Sequence, residues 1–130
     1  MKYLVDSDWV ADYLKGKEQA VSLLDNLADE GLAISILSFG EIREGIIYGG
    51  DRPKHETGFR NFLRGVDVLP LTRDTMNRFA SIRGELRKRG NLIGDMDLLI
   101  ASTALHYQLS LISRNLRHFR RVPQLEIYRP

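Results

Sequence analysis

Lys2-Tyr3-Leu4-Val5-Asp6-Ser7-Asp8 is an apolar run that stops abruptly on a carboxylate, a hydroxyl and a second carboxylate. The run reads as a buried strand over residues 2–6. Buried strands rarely end in free acids for reasons of packing, because an ionised acid is costly to desolvate unless it is paired or metal-bound. The same arrangement recurs twice. Ala33-Ile34-Ser35-Ile36-Leu37-Ser38 leads into Glu41, and Gly94-Asp95-Met96-Asp97 runs straight into Leu98-Leu99-Ile100-Ala101. Three acids, each at the seam of an apolar element, point to one shared acidic pocket. Such a pocket is how a small protein holds a hard divalent cation.

Outward from the first strand, the elements alternate. Residues 8–15 read as a short helix stopped by Gly16. Residues 17–30 read as a second, with Val21, Leu24, Leu27 and Ala28 on one face. A strand follows over 32–36. Ser38 with Glu41 three residues on spells a capping box, which predicts a helix over 39–48. Gly49-Gly50-Asp51-Arg52-Pro53 is a break. A helix over 54–65 precedes a strand from Val66 to Leu69, closed by Pro70. Thr72 caps a long helix to about residue 88, striped by Met76, Phe79, Ile82 and Leu86. A helix over 96–108, a strand over 109–113 and a short strand over 125–128 complete the chain. Strands separated by helices imply parallel pairing through right-handed crossovers. The expectation is one domain over residues 1–130, an α/β three-layer sandwich with a central, mainly parallel sheet flanked by helices. Ligands in such folds bind at the carboxyl ends of strands, near a switch in strand order. Asp6 lies at one such end and Ser113-Arg114-Asn115 at another.

Bulk properties narrow the class. A hydrophobic fraction of 43% with 28% charged residues is that of an ordinary soluble globule. No apolar run approaches the ~20 residues of a membrane helix, and Asp6 and Asp8 interrupt the only apolar stretch at the N-terminus, so no signal peptide is read there. The absence of cysteine excludes disulfides and thiolate zinc sites and suits a reducing cytoplasm. His55, His106 and His118 have no zinc-like spacing. Net charge is only +2, yet Arg83, Arg87, Lys88 and Arg89 cluster on one side of the 94–97 motif, and Arg114, Arg117, Arg120 and Arg121 on the other. Single charge runs are usually solvated faces. Two runs flanking an acidic centre point instead to a surface for a polyanion.

Four blocks then carry a family likeness: Leu4-Val5-Asp6-Ser7-Asp8, Ile34-Ser35-Ile36-Leu37-Ser38-Phe39-Gly40-Glu41-Ile42, Ile93-Gly94-Asp95-Met96-Asp97-Leu98-Leu99-Ile100-Ala101, and Leu111-Ile112-Ser113-Arg114-Asn115 with Phe119 after it. In this order and spacing the chain resembles the PIN-domain ribonucleases, most closely the VapC-like toxins of type II toxin–antitoxin pairs. The resemblance implies a divalent-metal endoribonuclease acting on structured RNA such as tRNA or rRNA and held inactive by a cognate antitoxin. Asp6 matches the family's first metal-binding acid, Glu41 the acid on the helix after the second strand, and Asp97 the third. Where the family often has a fourth acid, this chain has Ser113 and Asn115, and Asp95 is an extra carboxylate beside Asp97.

The chemistry also stands on the residues. Phosphodiester hydrolysis needs an activated water and neutralisation of the charge that develops on phosphorus, both of which Mg²⁺ or Mn²⁺ supplies. Magnesium takes only one or two carboxylates plus water and phosphate, so Asp6 and Asp97 read as metal ligands. Glu41 reads as a ligand through water or as the group that orients the attacking water, with Ser7 and Asn115 supporting them. Arg114, Arg117 and Arg121 are expected to contact RNA phosphates. Simpler readings stand beside these: Asp8 and Asp95 as helix caps, Glu41 as the capping-box partner of Ser38. Trp9, Phe39 and Phe79 read as core or interface, and His106 and His118 as surface or partly buried rather than catalytic.

Other functions compete. Asp6-Ser7-Asp8 and Gly94-Asp95 mimic the motifs of haloacid-dehalogenase-type phosphatases, but that geometry needs a strand before Gly94, where Arg87-Lys88-Arg89-Gly90-Asn91 stands. A phosphorelay receiver needs an acid where Leu69-Pro70 ends the third strand. A binding module that keeps the fold without turnover remains open, because fold does not fix function. A homodimer and an antitoxin partner are implied by the resemblance. Surplus apolar residues on the first helices and on 39–48 supply a surface for them.

Overall fold

The computed structural model describes residues 1–130. Strand β1 (Tyr3–Val5) feeds helices α1 (Ser7–Leu14) and α2 (Glu18–Leu27), and a short 3₁₀ turn leads into β2 (Leu32–Ser35). Helices α3 (Ile36–Tyr48) and α4 (Arg52–Leu63) precede β3 (Val66–Leu69). Then follow α5 (Arg73–Lys88), α6 (Asp95–Tyr107), β4 (Ser110–Ile112) and the one-turn helix α7 (Leu116–Phe119). The four strands are ordered β3-β2-β1-β4 and every pairing is parallel.

Strand periodicity divides the interior into two layers. Tyr3, Val5, Leu32, Ile34 and Ile112 point into a core closed by Trp9, Val10, Leu24, Ile42, Phe59 and Phe62 from α1 to α4. The intervening residues Leu4, Ala33, Leu69 and Leu111 face Leu86, Leu98, Ile100, Ala101 and Phe119 from α5, α6 and α7. Side chains alternate faces along a strand, so apolar residues at every position of β1 and from Leu32 to Ile34 of β2 are what a sheet covered on both sides requires. Leu4 and Val5 are fully buried, and burial of such a side chain contributes about 1.5–3 kcal/mol. Gly31 makes the entry to β2 possible. Its φ of +98° suits glycine alone, and a Cβ there would lie 2.8 Å from the backbone of Met1.

Three sequence expectations are corrected. The third helix starts at Ile36, not residue 39: Ser35 is its N-cap and accepts from Leu37 N at 3.1 Å. Ser38 lies buried inside the helix, so the Ser38–Glu41 capping box does not form. The strand expected over 125–128 reduces to a single bridge, Leu111 with Ile127. The short helix α7 was not expected. Thr72 caps α5 through Thr75 N, as read from the sequence.

The chain moves outward from β1 to β2 to β3, then crosses back to lay β4 against the other side of β1. The switch in strand order therefore falls at the β1–β4 pair, and Asp6 and Ser113 sit immediately beyond the carboxyl ends of those strands.

Candidate active site

Asp6 terminates β1 and is the N-cap of α1; its Oδ1 accepts from Ser7 N at 2.9 Å. Ser113, just past β4, donates its hydroxyl to Asp6 Oδ2 at 2.7 Å and accepts from Asn115 N at 3.0 Å. The hydrogen bond bends the loop so that the Asn115 amide turns toward α6. There Asn115 Nδ2 donates to Asp97 Oδ2 at 2.7 Å. On the other side, Ser7 Oγ donates to Glu41 Oε1 at 3.3 Å. A continuous chain of hydrogen bonds thus joins Glu41, Ser7, Asp6, Ser113, Asn115 and Asp97, which come from four separate elements.

His118, read from the sequence as surface or partly buried rather than catalytic, is half-buried and belongs to this chain. Its Nδ1 lies 2.8 Å from Asp97 Oδ2. A carboxylate only accepts, so the contact requires Nδ1–H as donor. The Asn115 amide is also 2.9 Å from Nδ1, but a protonated Nδ1 has no lone pair for it, and the amide serves Asp97 instead. The sequence signal was the three-residue step from Asn115 to His118, which matters only once a helix is known to start at Leu116 and place both on one side.

The electrostatics are those of an uncompensated acid cluster. Asp6 is 8% exposed, and its carboxyl is pushed up to about 6, chiefly by burial, with Asp8 and Asp97 adding repulsion and the Ser113 and Ser7 hydrogen bonds opposing. Burial also pushes Asp8 up, although it accepts from Trp9 N at 2.8 Å. No lysine or arginine pairs with Asp6, Asp8 or Glu41. Asp95 differs: it is the first residue of α6 rather than its cap, which is Gly94, and Arg83 holds it at 3.1 Å.

As the side chains stand, no three acid or histidine groups converge as a complete ligand set. The donors nonetheless fit a hard divalent cation, which takes few carboxylates and keeps its waters. Each Asp6 oxygen spends one lone pair on a neutral donor and retains another. Asp6 and Asp97 would hold it. A groove of about 550 Å³ opens beside Ser7, Asp8 and Glu41 and runs between α1 and α3 along Ala11, Ile42 and Ile46.

The three arginines expected at RNA differ in their surroundings. Arg117 is exposed and makes no ion pair. Arg121 donates to the Leu92 carbonyl at 3.1 Å. Arg114 pairs with Asp12 and lies over the Trp9 ring, 4.2 Å from its centroid.

The segment before Gly94 carries no strand, which removes the phosphatase geometry. The family model for the PIN domain matches residues 3–125. Ribonuclease VapC1 of Methanocaldococcus jannaschii is 33% identical over 129 residues, covering 98% of this chain and 87% of its own. The tRNA(fMet)-specific endonuclease VapC of Salmonella typhimurium is 26% identical over 131 residues, 98% and 96% of the two chains. Among solved structures, VapBC2 from Rickettsia felis bound to a DNA fragment from its promoter superimposes with a TM-score of 0.88 at 25% identity, covering 98% of each chain. With the acids at the switch point and the match running through all four strands, the chain belongs to the PIN-domain family, among its VapC ribonucleases.

Proposed function

We propose that this VapC ribonuclease is the toxin of a toxin–antitoxin pair and cuts structured RNA, tRNA or rRNA, in the cytoplasm. It does so with Mg²⁺, for which Mn²⁺ substitutes, held by Asp6 and Asp97. The reading is supported above all by the hydrogen-bond chain that ties Asp6, Glu41 and Asp97 into one unit at the ends of β1 and β4. A divalent cation supplies charge against the developing phosphorane and acidifies water.

The remaining steps belong to side chains. Ser113 and Ser7 N fix both oxygens of Asp6, and Asn115 with His118 fixes Asp97, so neither acid reorganises when the scissile phosphate arrives. Glu41, exposed and bonded only to Ser7 Oγ, is free to accept a proton from the attacking water or to orient it. Arg117 and Arg121 contact backbone phosphates.

The groove between α1 and α3 takes an antitoxin segment, as the solved VapBC complexes make natural for this fold. A second copy of the chain covers other exposed apolar residues, among them Met76, Met96 and Tyr48. RNA cleavage with and without EDTA tests the catalytic reading. EDTA, Asp6→Asn and Asp97→Asn should each remove most activity, and undiminished cleavage by Asp97→Asn overturns the site. Light scattering at micromolar protein should give a dimer mass.

A further inference from the structure

The cation over Trp9 differs from the other arginines of its basic cluster in being held on two sides, by Asp12 and by the ring. Arg114 pairs with Asp12, and that pairing, with Lys17 adding to it, holds the Asp12 carboxyl below the usual range. Asp12 also meets Lys17 Nζ at 3.3 Å, so one carboxylate serves two cations and the Arg114 head group is held in place rather than cancelled. What remains free is its plane. Its guanidinium carbon lies over the Trp9 ring, 4.2 Å from the centroid, and Trp9 is 5% exposed, so the ring itself offers almost nothing to solvent. The Arg114 side chain keeps 40% of its surface exposed. It is clamped at its edge by Asp12 and backed by an aromatic ring, with its other side open.

Its location matters equally. Arg114 stands between Ser113, which holds Asp6, and Asn115, which holds Asp97. Its backbone thus belongs to the loop that carries both of these positioning groups, while its side chain reaches back to α1.

We propose that the Trp9–Arg114 pair is a stacking platform for an unpaired nucleobase next to the cleaved bond. Unpaired RNA bases stack on aromatic rings and on arginine planes alike, and an arginine fixed in advance by Asp12 and Trp9 loses little freedom when a base settles on it. The platform reads a base, not a charge, and so favours loops and other unpaired regions over helical RNA. This inference rests on the ribonuclease reading of the same site.

The test separates bases from phosphates. In EDTA, the intact protein is titrated with a short oligoadenylate and with an abasic ribose-phosphate chain of the same length, while the fluorescence of its only tryptophan is followed. Oligoadenylate should bind about tenfold more tightly, the order expected for one stacked base, and should change the Trp9 emission, whereas the abasic chain should not. Arg114→Lys keeps the charge and the reach to Asp12 but lacks the plane. It should bind the abasic chain as the parent does and lose the tenfold preference. Retention of that preference in Arg114→Lys overturns the platform, as does equal binding of both chains by the parent, which leaves the ribonuclease reading standing. Binding of neither chain likewise overturns the platform, while the ribonuclease reading is judged by the EDTA-sensitive cleavage assay above.

Discussion

The Asn115 amide donates to Asp97 Oδ2 across 2.7 Å, placing a neutral donor where the family often has another acid. Replacing it by Asn115→Asp sets two carboxylates against each other. Without cation they repel, and with it they share it. The variant should melt about 4 °C lower in EDTA, the shift expected for ~1 kcal/mol in a domain of this size. It should gain more than the parent does when Mg²⁺ is added. Differential scanning fluorimetry in both buffers measures this.

The Asp6 carboxyl titrates near 6 in the folded chain against an ordinary 3.8. A raised folded pKa means that the fold prefers the protonated acid: its contribution is fully present below about pH 4 and is lost as pH climbs through 6. Asp6→Asn abolishes that loss. In EDTA it should be more stable than the parent at pH 7.5, by at most about 3 kcal/mol, and the advantage should vanish by pH 4. Urea denaturation at both pH values decides it.

Glu41→Gln tests the acid that the sequence left between two roles. Because Ser35 caps α3 and Glu41 bonds only Ser7 Oγ, the substitution should leave the melting temperature unchanged. Cleavage should still drop about 10- to 100-fold, the range for groups that support a metal centre. A drop in melting temperature with activity intact would restore the capping role.

Neutralising Arg117 and Arg121 together, as Arg117→Gln with Arg121→Gln, should weaken binding to all RNAs alike. It should lower the salt slope by about 1.4, taking ~0.7 per single-strand phosphate contact. An unchanged slope would return both to a solvated face.

The candidate acids stood out because each sits at the seam of an apolar element, and the parallel sheet was legible because β1 and β2, as far as Ile34, are apolar at every position. The start of α3 was not. Ser35 and Ser38 are both plausible caps, and the choice fell to the strand, whose last residue turns directly into the helix. His118 was invisible for a related reason: α7 is a single turn, too short for periodicity to register, and its histidine gains meaning only from Asp97, twenty-one residues upstream. Arg114 looked like one more charge in a basic run. Only the fold brings Asp12 and Trp9 against it.

The hydrogen bond from Ser113 to Asp6 closes a sequence separation of 107 residues. A chain cut between Asp97 and Ser113 and separated would carry the acids at Asp6 and Asp97 without Ser113, Asn115 and His118, the groups that hydrogen-bond them.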